Sequence, residues 1–213
     1  MRDAILEFVK IFSETLPIRE PIYEFGGYQV AGQEGWADLR RFFPGKAYIG
    51  TDMREGPGVD MILDLHNIGL PSESAGTVLM LDTLEHVEFP RKAMEEVHRI
   101  LMPEGLVIMS SVMDFPIHST PYDYWRFTPE AFRSLLKPFE ESWVGFSGNR
   151  LFPHSILGIG CKKGTIPVEL FREFEKKFAN WKDFWDIATT SGWRRVLKSV
   201  VGCLRFELYY KKR

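Results

Sequence analysis

Four short apolar runs in the first two-fifths of the chain each end on an acid. They are Pro21-Ile22-Tyr23 before Glu24-Phe25-Gly26-Gly27, Ala47 to Thr51 before Asp52, Val59 to Leu63 before Asp64, and Thr77 to Leu81 before Asp82. Like charges brought together raise one another's pKa and disfavour ionisation, so such a cluster needs a compensating partner. A ligand rich in hydroxyl and ammonium groups, such as a nucleoside, supplies one. Any single acid could instead cap the helix that follows it; four in register with four strands favour the nucleoside. Two histidines extend the set, His86 shortly after Asp82 and His118 beyond the run Leu106 to Ser110. An imidazole with a pKa near 6.5 suits removal of a proton from a hydroxyl or amine, and His118 ranks ahead of His86 as that base. Each also has a structural use, His86 in packing beneath the next helix and His118 in fixing its loop to Asp123. Tyr122, Tyr124, Trp125 and Arg126 follow as candidate substrate-binding residues. Aromatic faces favour a cation by about 0.5–2 kcal/mol and a guanidinium favours an acidic group. Trp125 and Phe127 fit core packing better than binding, and Arg126 fits a pairing with Asp123 or a backbone carbonyl at least as well.

These residues need a scaffold, and the hydrophobic pattern describes one. Ile5, Leu6, Phe8, Val9 and Phe12 fall at helical spacing, and Pro17 and Pro21 stop that helix. Gly35 to Phe43 reads as a short amphipathic helix ended by Pro44-Gly45. Pro90 to Leu101 reads as a helix with proline at its start, and Pro129 to Leu136 as another, with Thr128 as its N-cap. Strands are expected over 21–25, 47–50, 59–63, 77–81, 106–110, 142–146 and 155–161. Short apolar strands alternating with helices indicate an α/β fold with a mostly parallel sheet covered on both faces. In such a sheet a ligand sits outside the carboxyl ends of the strands, where the strand order reverses, and the four acids stand at those ends.

The glycine loop narrows the ligand. Gly26-Gly27-Tyr28-Gln29-Val30-Ala31-Gly32 matches neither the dinucleotide fingerprint G-x-G-x-x-G nor the phosphate-binding G-x-x-x-x-G-K-[ST], which speaks against NAD and ATP. A nicotinamide-dependent Rossmann-like enzyme is therefore the weaker alternative. S-adenosylmethionine carries no phosphate and makes fewer demands on glycine.

Glu24-Phe25-Gly26, the run Leu81 to Val87 and the run Glu95 to Gly105 together resemble segments of class I S-adenosylmethionine-dependent methyltransferases of the small, type 11-like kind. Glu24-Phe25-Gly26 is similar to their first motif, although Tyr28 and Val30 replace its later glycines. Leu81-Asp82-Thr83-Leu84-Glu85-His86-Val87, followed by Glu95-Glu96-Val97-His98-Arg99-Ile100-Leu101-Met102-Pro103-Glu104-Gly105, resembles their "LEHV … E-x-x-R-x-L-x-P-G-G" signature, with Glu104 in place of the first paired glycine. His118 to Thr128 is similar to a segment of a subset of these enzymes. The resemblance spans about residues 20 to 162. It implies a Rossmann-like, doubly wound, mostly parallel seven-stranded sheet with one antiparallel strand near its C-terminal edge. It also implies cofactor contacts from Glu24 at the methionine end, Asp52 at the ribose and Asp64 near the adenine, with Gly26, Gly27, Asp82 and Leu84 in the same site. S-adenosylhomocysteine would be the product, and the acceptor a small molecule or glycan-like compound methylated on oxygen or nitrogen rather than carbon. A catalytically silent relative acting as a binding subunit is the alternative that the altered glycine loop leaves open.

Composition agrees with an ordinary globular protein. The chain has 213 residues, a net charge of −2 and 45% apolar residues, which argues against bulk nucleic-acid binding. No window reaches the roughly 18 apolar residues of a membrane span, and Asp3 and Glu7 interrupt the apolar N-terminus, so a cytoplasmic setting is expected. Cys161 and Cys203 lack metal-ligand or disulfide spacing, and no metal is expected. Aromatic residues make up 14% of the chain, with clusters near Tyr122 to Phe132 and along the last third. The expected organisation is an N-terminal helix over 1–20, a methyltransferase core over 21–163 and a helical C-terminal extension over 164–213. In that extension Trp193, Val196, Leu197, Val200, Val201 and Leu204 share a helical face, and Phe206 to Tyr210 could alternate as an edge strand. Its basic end suits packing on its own domain or in a homodimer better than contact with an anionic membrane.

Overall fold

The computed structural model describes residues 3–32, 34–118, 122–149 and 151–189. Seven strands form one sheet: β1 Ile22–Phe25, β2 Tyr48–Asp52, β3 Met61–Ile62, β4 Ala75–Leu81, β5 Leu101–Val112, β6 Glu141–Asn149 and β7 Phe152–Cys161. Their order is β3-β2-β1-β4-β5-β7-β6. Strands β1 to β5 pair in parallel, and β7 runs antiparallel to both β5 and β6. The expected doubly wound sheet with one antiparallel strand is therefore present.

Alternation along the central strands sends side chains to two cores. Leu79, Leu81, Leu106 and Ile108 meet α1 (Asp3–Thr15) and α4 (Val168–Thr189) on one face. Val78, Met80, Val107 and Met109 meet α2 (Pro90–Ile100) and α3 (Pro129–Leu135) on the other. Strand β4 is buried along its whole length, as a parallel strand covered on both faces must be. Helix α2 buries Ala93, Met94, Val97 and Ile100, one stripe at helical spacing, and α3 starts as the sequence indicates, with the Thr128 hydroxyl accepting from the Ala131 amide at 3.2 Å.

Two elements differ from expectation. Gly35 to Phe43 forms turns and a four-residue 3-10 helix, Leu39–Phe42, in place of an α-helix. Gly35 takes φ +74°, outside the helical region, and Asp38 caps a fresh start by accepting from the Arg40 amide. Only Leu39 and Phe43 need burial there, and a single turn brings both to the core. The third strand shrinks to Met61 and Ile62, both exposed at the sheet edge.

Helix α4 explains much of the aromatic excess. Phe174, Phe178 and Trp181 recur at helical spacing, stack on one another, and pack around Phe8 of α1. These aromatics of the last third are therefore core. The Trp181 indole also donates to the Ala4 carbonyl at 3.0 Å. Trp181→Phe is expected to keep the fold and lose about 1 kcal/mol of stability, measured by urea denaturation. Cys161 is buried, and burial pushes its thiol pKa up. The apolar face from Trp193, the 206–210 segment and Cys203 lie outside the described residues. Among the described residues no helix is long and apolar enough to cross a membrane.

Candidate active site

Strand order reverses between β1 and β4, so the loops leaving their carboxyl ends diverge and open a cleft. It encloses about 660 Å³, within the usual range for a small-molecule site. Glu24, Gly26 and Gly27 line it from β1, Asp52 from β2, Asp64 from the loop after β3, and Asp82 and His86 from the segment after β4. His118, Tyr122 and Tyr124 close it from the loop after β5. The scaffold thus gathers most of the expected site residues. Leu84, Trp125 and Arg126 are not among the lining residues.

Glu24 is only 6% exposed, and its Oε2 accepts from the Tyr48 hydroxyl at 2.7 Å. Burial pushes its pKa up to about 7 against the opposing pull of that hydrogen bond and of Arg40. Burial, with Glu24 beside it, likewise lifts the Tyr48 phenol well above its ordinary value.

Gly26 turns the chain out of β1 with φ +85°. A Cβ here would lie 2.5 Å from Thr83 Oγ1, whose hydroxyl donates to the Phe25 carbonyl at 3.0 Å and ties β1 to β4. Gly26→Ala combines left-handed strain with that clash, and should cost about 2 kcal/mol and lower the thermal midpoint.

The tyrosine at the substituted position 28 is accommodated by the facing loop. A Cβ on Gly56 would fall 2.3 Å from the Tyr28 ring, and one on Gly58 would fall 2.3 Å from the Gly27 carbonyl. Glycines absent from one loop are present in the other. The Arg54 guanidinium lies over the Tyr28 ring at 4.4 Å and bonds Asp52 Oδ1 through Nε at 3.2 Å, with its backbone amide on the same oxygen at 3.0 Å. Asp52 is thereby held in one orientation at the cleft wall.

Asp64 accepts from the His66 amide and ring Nδ1, both at 2.8 Å. Burial raises its pKa, but these bonds outweigh burial and hold it below the usual carboxylate range. Asp82 takes φ +51° and accepts from the Ser110 hydroxyl at 2.8 Å, which fixes its carboxylate against β5.

The two candidate bases meet. The His86 and His118 rings pack edge to face with centroids 4.9 Å apart. His86 Nδ1 contacts the Tyr122 carbonyl, and its pKa is lowered, chiefly by burial. His118 Nδ1 lies 3.2 Å from Asp123 Oδ2, which also accepts from the His118 amide at 2.7 Å. Burial raises the Asp123 pKa, but Arg126 and His118 bring it below the usual range.

Trp125 and Arg126 hold this loop in place. The indole donates to the Val87 carbonyl at 2.9 Å, and the guanidinium grips Asp123 and the carbonyls of Phe115 and Pro116. Leu84 is buried in the core beneath the cleft. Arg54, His66 and Glu85 line the cleft without having been singled out in the sequence. Arg54 and His66 each follow a strand-end acid by two residues, a spacing that could have marked them. Glu85 stood inside the recognised motif.

Comparison with known proteins agrees with this architecture. Residues 46–109 match a protein-family model described as a methyltransferase domain. No curated protein matches the sequence. Among solved structures, a SAM-dependent methyltransferase from Archaeoglobus fulgidus aligns with TM-score 0.58 at 13% identity, covering 76% of this chain and 95% of that one. A SAM-dependent methyltransferase from Thermotoga maritima, described as a possible histamine N-methyltransferase, aligns with TM-score 0.54 at 20% identity, covering 74% and 89%. The trans-methyltransferase CalH, solved with SAH, aligns with TM-score 0.50 at 16% identity, covering 74% and 54%. Such identities establish a shared fold.

Proposed function

We propose that this chain, which carries a class I, type 11-like methyltransferase domain with S-adenosylmethionine as cofactor, methylates a small-molecule or glycan-like acceptor on oxygen or nitrogen. The observation that carries the reading is the convergence of Glu24, Asp52, Asp64 and Asp82 on one cleft at the point where strand order reverses. The cleft suits this cofactor. Gly27 lets the backbone pass close by, since a Cβ there would meet Glu24 Oε2 at 3.3 Å and Gly50 at 3.4 Å, and the acids suit hydroxyl and ammonium groups. Glu24 is assigned to the methionine end, Asp52 to the ribose hydroxyls and Asp64 to the adenine surroundings, with Gly26, Gly27 and Asp82 completing the wall. When bound, the cofactor supplies an activated sulfonium methyl.

The protein's own task is then to place the acceptor and take its proton. Tyr122 and Tyr124 wall the acceptor side beside the histidine pair, His86 Nδ1 contacting the Tyr122 carbonyl. His118 accepts the proton from a hydroxyl or amine, and Asp123 at its Nδ1 stabilises the imidazolium that forms. Trp125 and Arg126 serve substrate binding through the loop they hold. Gly56 and Gly58 accommodate the altered glycine loop, which favours an active enzyme over a silent binding subunit. A cytoplasmic setting and a homodimer built through the C-terminal extension complete the proposal. It is tested by transfer of labelled methyl to a panel of hydroxyl- and amine-bearing acceptors. Turnover should fall about 100-fold in His118→Ala while S-adenosylhomocysteine binding persists; full turnover in that variant removes His118 from the mechanism.

A further inference from the structure

Glu85, His86 and His118 each bring one donor atom within 4.8 Å of the other two, on the acceptor side of the cleft. Each of the three is held by a neighbouring group. The Glu85 carboxylate, on a residue 1% exposed, accepts from the Ser111 hydroxyl at 2.7 Å. His86 Nδ1 faces the Tyr122 carbonyl. His118 Nδ1 faces Asp123 Oδ2 at 3.2 Å and the Pro116 carbonyl at 3.3 Å. These partners are acceptors only, so both rings carry a proton on Nδ1, and in the neutral form the lone pair lies on Nε2. A histidine whose Nδ1–H is held by a carbonyl or carboxylate is the form in which imidazole ligates a metal.

We infer that Glu85, His86 and His118 bind a divalent transition-metal ion of the zinc type, with a coordination position left for the acceptor. Two imidazoles and one carboxylate suit zinc or cobalt better than magnesium or calcium, which prefer all-oxygen sites. Bonds of about 2.0–2.2 Å bring such donors closer together than 4.8 Å, so binding the ion draws the three side chains inward. The ligands come from two separate segments, which is why no metal-ligand spacing marks them in the sequence. Resting on the methyltransferase reading, the inference also narrows the acceptor to an oxygen donor. A hydroxyl bound to the ion loses its proton to solvent at lower pH than a free one, so in the ion-loaded site His118 acts as a ligand in place of the base role given to it above, and solvent takes the proton.

The test is titration of Co²⁺ into the full-length protein, prepared without a polyhistidine tag and treated with chelator. Visible d–d bands should saturate at one equivalent, be displaced by Zn²⁺, and disappear in His86→Ala and His118→Ala. Glu85→Gln, which preserves shape, should bind about tenfold more weakly or worse, and His154→Ala should bind as the native protein does. Absence of the bands from native protein, or their survival unchanged in the His118 variant, overturns the inference. Parallel S-adenosylhomocysteine titrations separate the two readings. Cobalt bands without nucleoside binding support the ion site and refute the methyltransferase; nucleoside binding without the bands does the reverse.

Discussion

Asp52→Ala is expected to weaken S-adenosylhomocysteine binding about 100-fold, or about 2.7 kcal/mol. Asp52 ends β2 at the wall of the cleft, 8% exposed, with one carboxylate oxygen already committed to Arg54. A carboxylate so fixed meets ribose hydroxyls without further ordering, and charge-assisted hydrogen bonds contribute about 1.5–3 kcal/mol each. Arg54 retains the Tyr28 face as a partner, so the loss should appear in binding more than in folding. Calorimetric titration of the variant beside thermal denaturation distinguishes the two, and unchanged affinity would remove Asp52 from the site.

The second large effect concerns Glu24 and pH. Its folded pKa, raised to about 7 chiefly by burial, exceeds the ordinary 4.5. Protons therefore bind the folded state more tightly than the unfolded one. The stability this confers is complete below about pH 4.5 and is lost as pH rises through 7, amounting to about 3 kcal/mol. Glu24→Gln, which cannot ionise, should gain that amount relative to native protein between about pH 5 and about pH 8, measured by urea denaturation at each pH. A stability difference independent of pH would mean that Glu24 titrates as an exposed acid does. The same shift links to ligand binding. An ammonium group at Glu24 favours the carboxylate, so below pH 7 binding should release a proton and its heat should depend on the buffer.

Much of this site was legible because the acids stand at strand ends, and strand ends of a parallel sheet converge wherever the order reverses. Glu24, Asp52, Asp64 and Asp82 needed only correct strands to fall into place. Leu84 shows the limit of a motif. It lies between two cleft residues, yet its apolar side chain turns down into the core. Trp125 and Arg126 have the chemistry of binding residues and use it on the backbone of their own loop, a choice that depends on carbonyls brought near by folding. The compensation of Tyr28 by Gly56 was equally hidden, since two loops after different strands share one space. Helix α4 was not legible in the sequence, because its aromatics suit a ligand surface as readily as a core and only the partner helix α1 decides between them.

Binding of the nucleoside in the strand-end cleft is the property on which every assigned residue role depends. Calorimetric titration of S-adenosylhomocysteine into the native protein near pH 7.5 tests this most directly. Saturable binding with one site per chain, weakened in Asp52→Ala, is the predicted result. An absence of binding heat, with the protein folded by circular dichroism, would contradict it.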